Sequence, residues 1–129
     1  MPDTLHKQLH GELINKLKKN KQHLKADPTN NERYTSLHLA SMSGQTEVVK
    51  LLLNQGADIK ATDNEGYAPL HLASMSGQTE VVKLLLNQGA DIKATDNEKC
   101  TALHLACMNG QTKAAELLLK KSADIRGED

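Results

Sequence analysis

The sequence has no Phe and no Trp, and its only aromatic residues are Tyr34 and Tyr67. Without large rings, the apolar interior falls to Leu, Val, Ile, Ala and Met. Strands favour β-branched and aromatic residues, so this palette suits closely stacked helices better than a sheet. Cysteine is scarce too: Cys100 and Cys107 are the only two, and they make no metal-spacing motif. They read as ordinary thiols of a reducing, intracellular compartment. No apolar run approaches membrane-spanning length, and the polar start Met1-Pro2-Asp3-Thr4 has no signal-peptide core. An excess of one charge is also missing, since 16 Lys/Arg balance 16 Asp/Glu. The split along the chain is +3 over residues 1–33 and −3 over 34–129. Neither half is charged enough to imply nucleic-acid binding. There is no glycine-rich phosphate loop, no nucleophile elbow and no paired-carboxylate pocket. The expectation is a protein that is not an enzyme, with no cofactor, metal or small-molecule substrate.

What the sequence does have is repetition. The string LHLASMSGQTEVVKLLLNQGADIKATDNE runs from Leu37 to Glu65 and recurs unchanged from Leu70 to Glu98, an offset of 33. A third copy starts at Leu103 and keeps 15 of the 27 positions found between Leu70 and Asp96. An unaltered duplication of this length points to a very recent copying event or to engineering.

One copy can be read as local structure. Pro69 suits the first turn of a helix, because its missing N–H would have no partner there anyway. Leu70, Leu72, Ala73 and Met75 form a short helix that Gly77 breaks. Thr79 and Glu80 open a second helix, with Thr79 read as its cap and Glu80 as an acid placed well for the dipole. Val81, Val82, Leu84, Leu85 and Leu86 cover most of its circumference, so it must be buried on more than one side. Gly89 ends it as a left-handed cap, and Asp96 and Asn97 form the following turn. A unit of two helices and a hairpin-like loop cannot bury that apolar surface alone, whereas stacked units can. The expected fold is an all-α solenoid.

These motifs resemble ankyrin repeats. The family's Thr-Pro-Leu-His signature appears as Thr35-Ser36-Leu37-His38, Ala68-Pro69-Leu70-His71 and Thr101-Ala102-Leu103-His104. Its Gly-Ala-Asp signature appears as Gly56-Ala57-Asp58, Gly89-Ala90-Asp91 and Ser122-Ala123-Asp124. The resemblance covers about residues 30–129 and implies an ankyrin-repeat solenoid of stacked helix-turn-helix units. It also implies a role in protein–protein interaction. Three departures stand out. Ala68 lacks the threonine hydroxyl that fastens the first turn. Arg33 and Lys99 stand where the middle copy has Gly66, so their turns are expected to be strained. Ser122 replaces a cap glycine and is expected to weaken the last helix end by a fraction of about 1 kcal/mol.

The chain divides into an N-terminal helical cap over 1–29 and repeats over 30–65, 66–98 and 99–129, forming one domain. In the cap, Leu5, Leu9, Leu13, Leu17 and Leu24 recur mostly at four-residue intervals, and Asp27-Pro28 should end the segment. The last repeat is expected to act as the C-terminal cap. There Ala114-Ala115 replace Val81-Val82, and Lys120-Lys121 replace Asn87-Gln88, giving a smaller and more charged far face.

His38, His71 and His104 share one repeat position. Successive copies set them roughly 10 Å apart, too far to share a metal. The resemblance assigns them to hydrogen bonds with loop backbone between repeats. Asp58, Asp91 and Asp124 look like loop anchors. The basic stretch of Lys16, Lys18, Lys19, Lys21, His23 and Lys25 has no interleaved aromatic and reads as the solvated face of a capping helix. Its functional alternative is an anionic surface.

Removing the residues that the stack needs leaves the positions a partner could use. On the loop tips these are Tyr34, Asn64, Glu65, Tyr67, Asn97, Glu98 and Cys100. On the first helices they are Met42, Met75 and Met108. Tyr supplies an amphipathic anchor and Met an adaptable one, both favoured at interfaces. The resemblance places them on one concave face and implies an unidentified protein as the partner. The chain is expected to be a monomer with no membrane insertion. The competing class is a structural or self-associating repeat protein.

Overall fold

The computed structural model describes residues 33–125. The capping segment expected over 1–29 and the Lys16–Lys25 stretch lie outside them. Among the described residues there are six helices and no strand. They are α1 (Ser36–Ser43), α2 (Thr46–Asn54), α3 (Pro69–Met75), α4 (Thr79–Asn87), α5 (Ala102–Met108) and α6 (Thr112–Ile125). They form three antiparallel pairs. First helices α1, α3 and α5 pack side by side in one row, and second helices α2, α4 and α6 in another. Helix pairs stacked in this way make a solenoid, as the repeats imply.

The core lies between the two rows. Leu52, Leu85 and Leu118, at one repeat position, are each fully buried, and so are Ala40, Ala73 and Ala106 opposite them. A buried leucine contributes roughly 1.5–3 kcal/mol, and alanine at the facing position lets the first helix come close. Val49 and Val82 are also 0 % exposed. That follows from apolar residues around most of the second helix, with burial against its partner and against the neighbouring second helices described.

The first helices start as capping boxes in which histidine takes the place usually held by Glu. Thr35 Oγ1 accepts the His38 N–H at 3.2 Å, and the His38 ring Nδ1 accepts the Thr35 N–H at 3.1 Å. Thr101 and His104 repeat the arrangement at 3.3 and 2.9 Å. At Ala68 only the ring's half survives, with the Ala68 N–H donating to His71 Nδ1 at 2.9 Å. Pro69 at the first helical position offsets the lost hydroxyl by removing one N–H that would need a partner.

Two local expectations need correction. Thr79 is the first helical residue of α4 rather than its cap, which is Gln78 with no capping hydrogen bond from its side chain. That side chain is used elsewhere. The last helix also does not end weakly at Ser122. Behind α4, Gly89 adopts φ 99°, and the Ala90 N–H closes back on the Leu85 carbonyl at 2.9 Å. With serine at that repeat position, α6 stays helical through Ser122 to Ile125. Serine disfavours the left-handed conformation that would stop the helix. Asp124 therefore sits in a helix instead of anchoring a loop. Asp58 and Asp91 do anchor theirs, accepting the N–H of Lys60 and Lys93 at 2.9 Å.

Candidate functional site

The loop tips are built from aspartate. Asp63 is buried, and its Oδ1 accepts the N–H groups of Glu65 and Tyr67, both at 2.9 Å. Asp96 does the same for Glu98 and Cys100 at 2.8 Å. Each carboxylate thus shapes a tight turn that carries Tyr67 or Cys100 to the start of the next first helix. Successive tips are stapled together. The Asn97 N–H donates to the Glu65 carbonyl at 3.0 Å, and Asn97 Nδ2 donates to the Asn64 carbonyl at 2.8 Å. Asn97, read from the sequence as spare, is therefore committed to the stack, and Asn64 is engaged as well. Glu65 and Glu98 point their side chains to solvent.

Tyr34, His38 and Met42 stand four residues apart, so they share one stripe running from the loop tip up the first helix. The Tyr34 ring stacks on His38 with centroids 5.2 Å apart and planes at 28°. Its hydroxyl donates to Met42 Sδ at 3.5 Å. Tyr67 lies on His71 at 6.2 Å and 48°. The third stripe is Cys100, His104 and Met108. Tyr34, Tyr67, Cys100 and Met75 are half-buried, while Met42 and Met108 are exposed, Met108 by 72 %.

The histidines under the tyrosines belong to the stack. His38 Nε2 donates to the Tyr67 carbonyl at 2.8 Å and His71 Nε2 to the Ala94 carbonyl at 3.0 Å. The His38 ring thus joins the cap of its own helix to the loop that opens the following copy, and the His71 ring joins its cap to the loop that closes its own copy. A ring that donates from Nε2 and accepts at Nδ1 is neutral, and burial holds the His38 pKa below its ordinary value. His104 keeps its cap, but its Nε2 has no acceptor among the described residues and the ring is exposed.

The surroundings do not activate any of these groups. Desolvation, followed by Asp96, Glu65, Glu98 and Asp63, raises the Tyr67 phenol. Desolvation, then Asp96 and Glu98, raises the Cys100 thiol, so it remains protonated and poorly nucleophilic. Both thiols are free. Among the described residues, no group of three His, Cys, Asp or Glu side chains is arranged to hold a metal ion. No described helix is long and apolar enough to cross a membrane. The arrangement offers ring faces, thioethers and carboxylates for recognition.

One recurring contact has no counterpart among the expected site residues. Gln78 Nε2 donates to the Met42 carbonyl at 3.1 Å, and Gln111 Nε2 to the Met75 carbonyl at 2.9 Å. The amides lie over Gly44 and Gly77, where a Cβ would collide with them. The signal was present in the sequence, because the Gly-Gln pair persists as Gly110-Gln111 although the third copy has drifted around it.

Comparison with known proteins agrees with this geometry. The family model described as ankyrin repeats (3 copies) matches residues 5–96 and again residues 61–129. The first match reaches well into the N-terminal segment. No curated protein matches the chain.

Proposed function

Because the chain belongs to the ankyrin-repeat family, whose repeats are generally non-enzymatic protein–protein interaction modules, we propose that it grips a partner protein through the face formed by its loop tips and first helices. The observation that carries this reading is the Tyr34–His38–Met42 stripe and its repetition at Tyr67–His71–Met75. The histidines at its base are used up by the stack, whereas the tyrosines and methionines above them have no core to fill. Rigid rings and adaptable thioethers are what protein interfaces select. Tyr34, Met42, Tyr67, Met75 and Met108 supply the contact, with Glu65, Glu98 and Cys100 at the rim. Asn64 and Asn97 contribute through the loop backbone they hold in place.

The domain proposed is one array, with a cap over 1–29 and repeats over 30–65, 66–98 and 99–129. The two free thiols fit a reducing, intracellular setting. The double substitution Tyr67→Ala with Met75→Ala tests the proposed face. Immobilised parent and variant chains, run side by side as baits, should differ: proteins held by the parent are lost from the variant at least about tenfold. Helical circular dichroism should be unchanged. A variant that retains every captured protein overturns the assignment of this face.

A further inference from the structure

The helices that carry the proposed binding face bring no charge to it. α1, α3 and α5 contain no Asp, Glu, Lys or Arg, so the charge that a partner meets is set by the loop tips. Two successive tips place four carboxylates there, Asp63 and Glu65 on one, Asp96 and Glu98 on the next. The tips touch, since the Asn97 N–H lies 3.0 Å from the Glu65 carbonyl and Glu98 is the next residue along. Every lysine of the described helices stands in the other row, on α2, α4 and α6. Lys60 and Lys93 stand where each loop leaves its second helix, beside Asp58 and Asp91. At the two tips themselves Lys99 is the one basic residue, and Arg33 belongs to the tip before them.

Among the described residues, none of the four carboxylates is in an ion pair. Asp63 and Asp96 are only 8 % and 7 % exposed. In each, Oδ1 holds two backbone N–H groups, while Oδ2 makes no hydrogen bond among the described residues and is not sealed from solvent. Partly buried charges are screened less than exposed ones, so an approaching cation feels these two strongly. Tyr67 stands among them. Desolvation raises its phenol, and Asp96, Glu65, Glu98 and Asp63 all raise it further. Its hydroxyl makes no hydrogen bond among the described residues. An aromatic ring attracts a cation to its face, and carboxylates around the ring pull the same way. A bare metal ion is the poorer occupant, because no three described His, Cys, Asp or Glu side chains converge.

We propose that the segment of the partner protein gripped by this face is basic, and that one of its arginine or lysine side chains lies on the Tyr67 ring between Glu65 and Glu98. The inference rests on the reading of the Tyr–His–Met stripes as the binding face and names the chemistry that the face selects. The aliphatic stem of such a side chain packs on the ring and on Met75, while its charged head stays at the carboxylates. Arginine suits the place better than lysine, because its planar head stacks on a ring and still donates to two carboxylates.

Titration of the isotope-labelled full chain with a capped hexa-arginine peptide, followed by NMR, tests it. The amides of Glu65, Tyr67, Glu98 and Cys100 should shift together and saturate, and hexaglutamate should move none of them. Glu65→Gln with Glu98→Gln keeps every described hydrogen bond and should weaken hexa-arginine binding more than about tenfold. Glu47→Gln with Glu80→Gln removes the same charge from the second helices and should leave the affinity within about twofold. Tyr67→Ala should weaken it about threefold, the worth of one exposed cation–π contact. The glutamate pair leaves both tyrosines and all the methionines in place, so this inference and the assignment of the face fail separately. Proteins lost from Tyr67→Ala with Met75→Ala but held undiminished by Glu65→Gln with Glu98→Gln would leave the face standing and overturn its basic partner. Absence of a saturable shift with hexa-arginine, equal weakening by the two glutamate pairs, or saturation of the same amides by calcium chloride below about 1 mM would each overturn it too.

Discussion

At the scale of single residues, one repeat position shows how backbone and neighbours set different demands. Arg33, Gly66 and Lys99 all adopt left-handed φ, at 60°, 82° and 65°. The strain expected at the two non-glycine positions is present. Gly66 carries a second constraint, because a Cβ there would lie 2.7 Å from the Asn97 backbone nitrogen. Among the described residues, no copy follows the one that Lys99 opens. Left-handed strain in a non-glycine residue costs about 1–3 kcal/mol, against about 0.5–1 kcal/mol for the extra unfolded-state freedom of glycine. Strain therefore outweighs entropy. Lys99→Gly should raise stability by up to about 1 kcal/mol, whereas Gly66→Ala should lower it by about 2 kcal/mol or more, as read by urea denaturation.

His38 makes the fold sensitive to acid. Burial lowers its pKa in the folded chain more than the Tyr67 carbonyl, Asp63 and the Ala61 carbonyl raise it. The unfolded chain therefore takes up the proton first. Stability from the neutral ring is fully present above about pH 6.5, the ordinary histidine value, and is lost as the pH falls from there towards the depressed folded value. Melting temperature should drop between about pH 7.5 and 5.5, and the His38 ring signals in NMR should titrate below about pH 6.5. A melting temperature that is flat across that interval would count against the neutral, two-sided hydrogen-bonding role given to this ring. Ser41 and Ser74 make a different point at this scale. Their hydroxyls are buried without a hydrogen-bond partner, an unfavourable state that alanine would avoid.

At the scale of elements, the copies are joined by side chains that cross from one helix pair to the next. Gln78 reaches from the start of α4 to the carbonyl end of α1, and Gln111 from α6 to α3. Each satisfies a carbonyl in a last helical turn that has no partner within its own helix. Gln78→Ala should cost about 0.5–1.5 kcal/mol, the net worth of one such bond, in chemical denaturation. A loss above this range would mean that the amide also packs over Gly44. Element boundaries were largely legible in advance, because Pro69, Gly44, Gly77 and Gly89 act on the backbone where they stand. Gln78 was not, since an amide that caps its own helix and one that reaches another look alike in sequence. α6 misled for a related reason. Replacing the stop residue lengthened the helix instead of fraying it, because the residues beyond Ser122 are able to continue it.

At the scale of the whole molecule, stability is shared along one dimension, with the main contacts among the described residues running between adjacent copies. The middle described copy is packed against a described copy on both sides. The proposed binding face is a property of the array, because a single Tyr–His–Met stripe is small and the stack multiplies it. Six of the ten sequence-selected positions, Tyr34, Met42, Tyr67, Met75, Cys100 and Met108, fall on the three stripes. Glu65 and Glu98 project beside them, while Asn64 and Asn97 turned out to be tied into the stack.

By itself the sequence determined the repeat, the helix pairs, the loops and hence the solenoid. All of these follow from local chemistry: the apolar circumference of the second helices, left-handed glycines and aspartates that cap turns. Tertiary structure decided which members of identical sets are covered. Leu51 and Leu84 lie in word-for-word copies of one sequence, yet Leu51 is 41 % exposed and Leu84 half-buried. His104 has the residues of His71 on either side of it, and still its ring is exposed while that of His71 is buried. Burial and hydrogen bonding depend on the neighbour, and a repeated string does not record where its neighbours end.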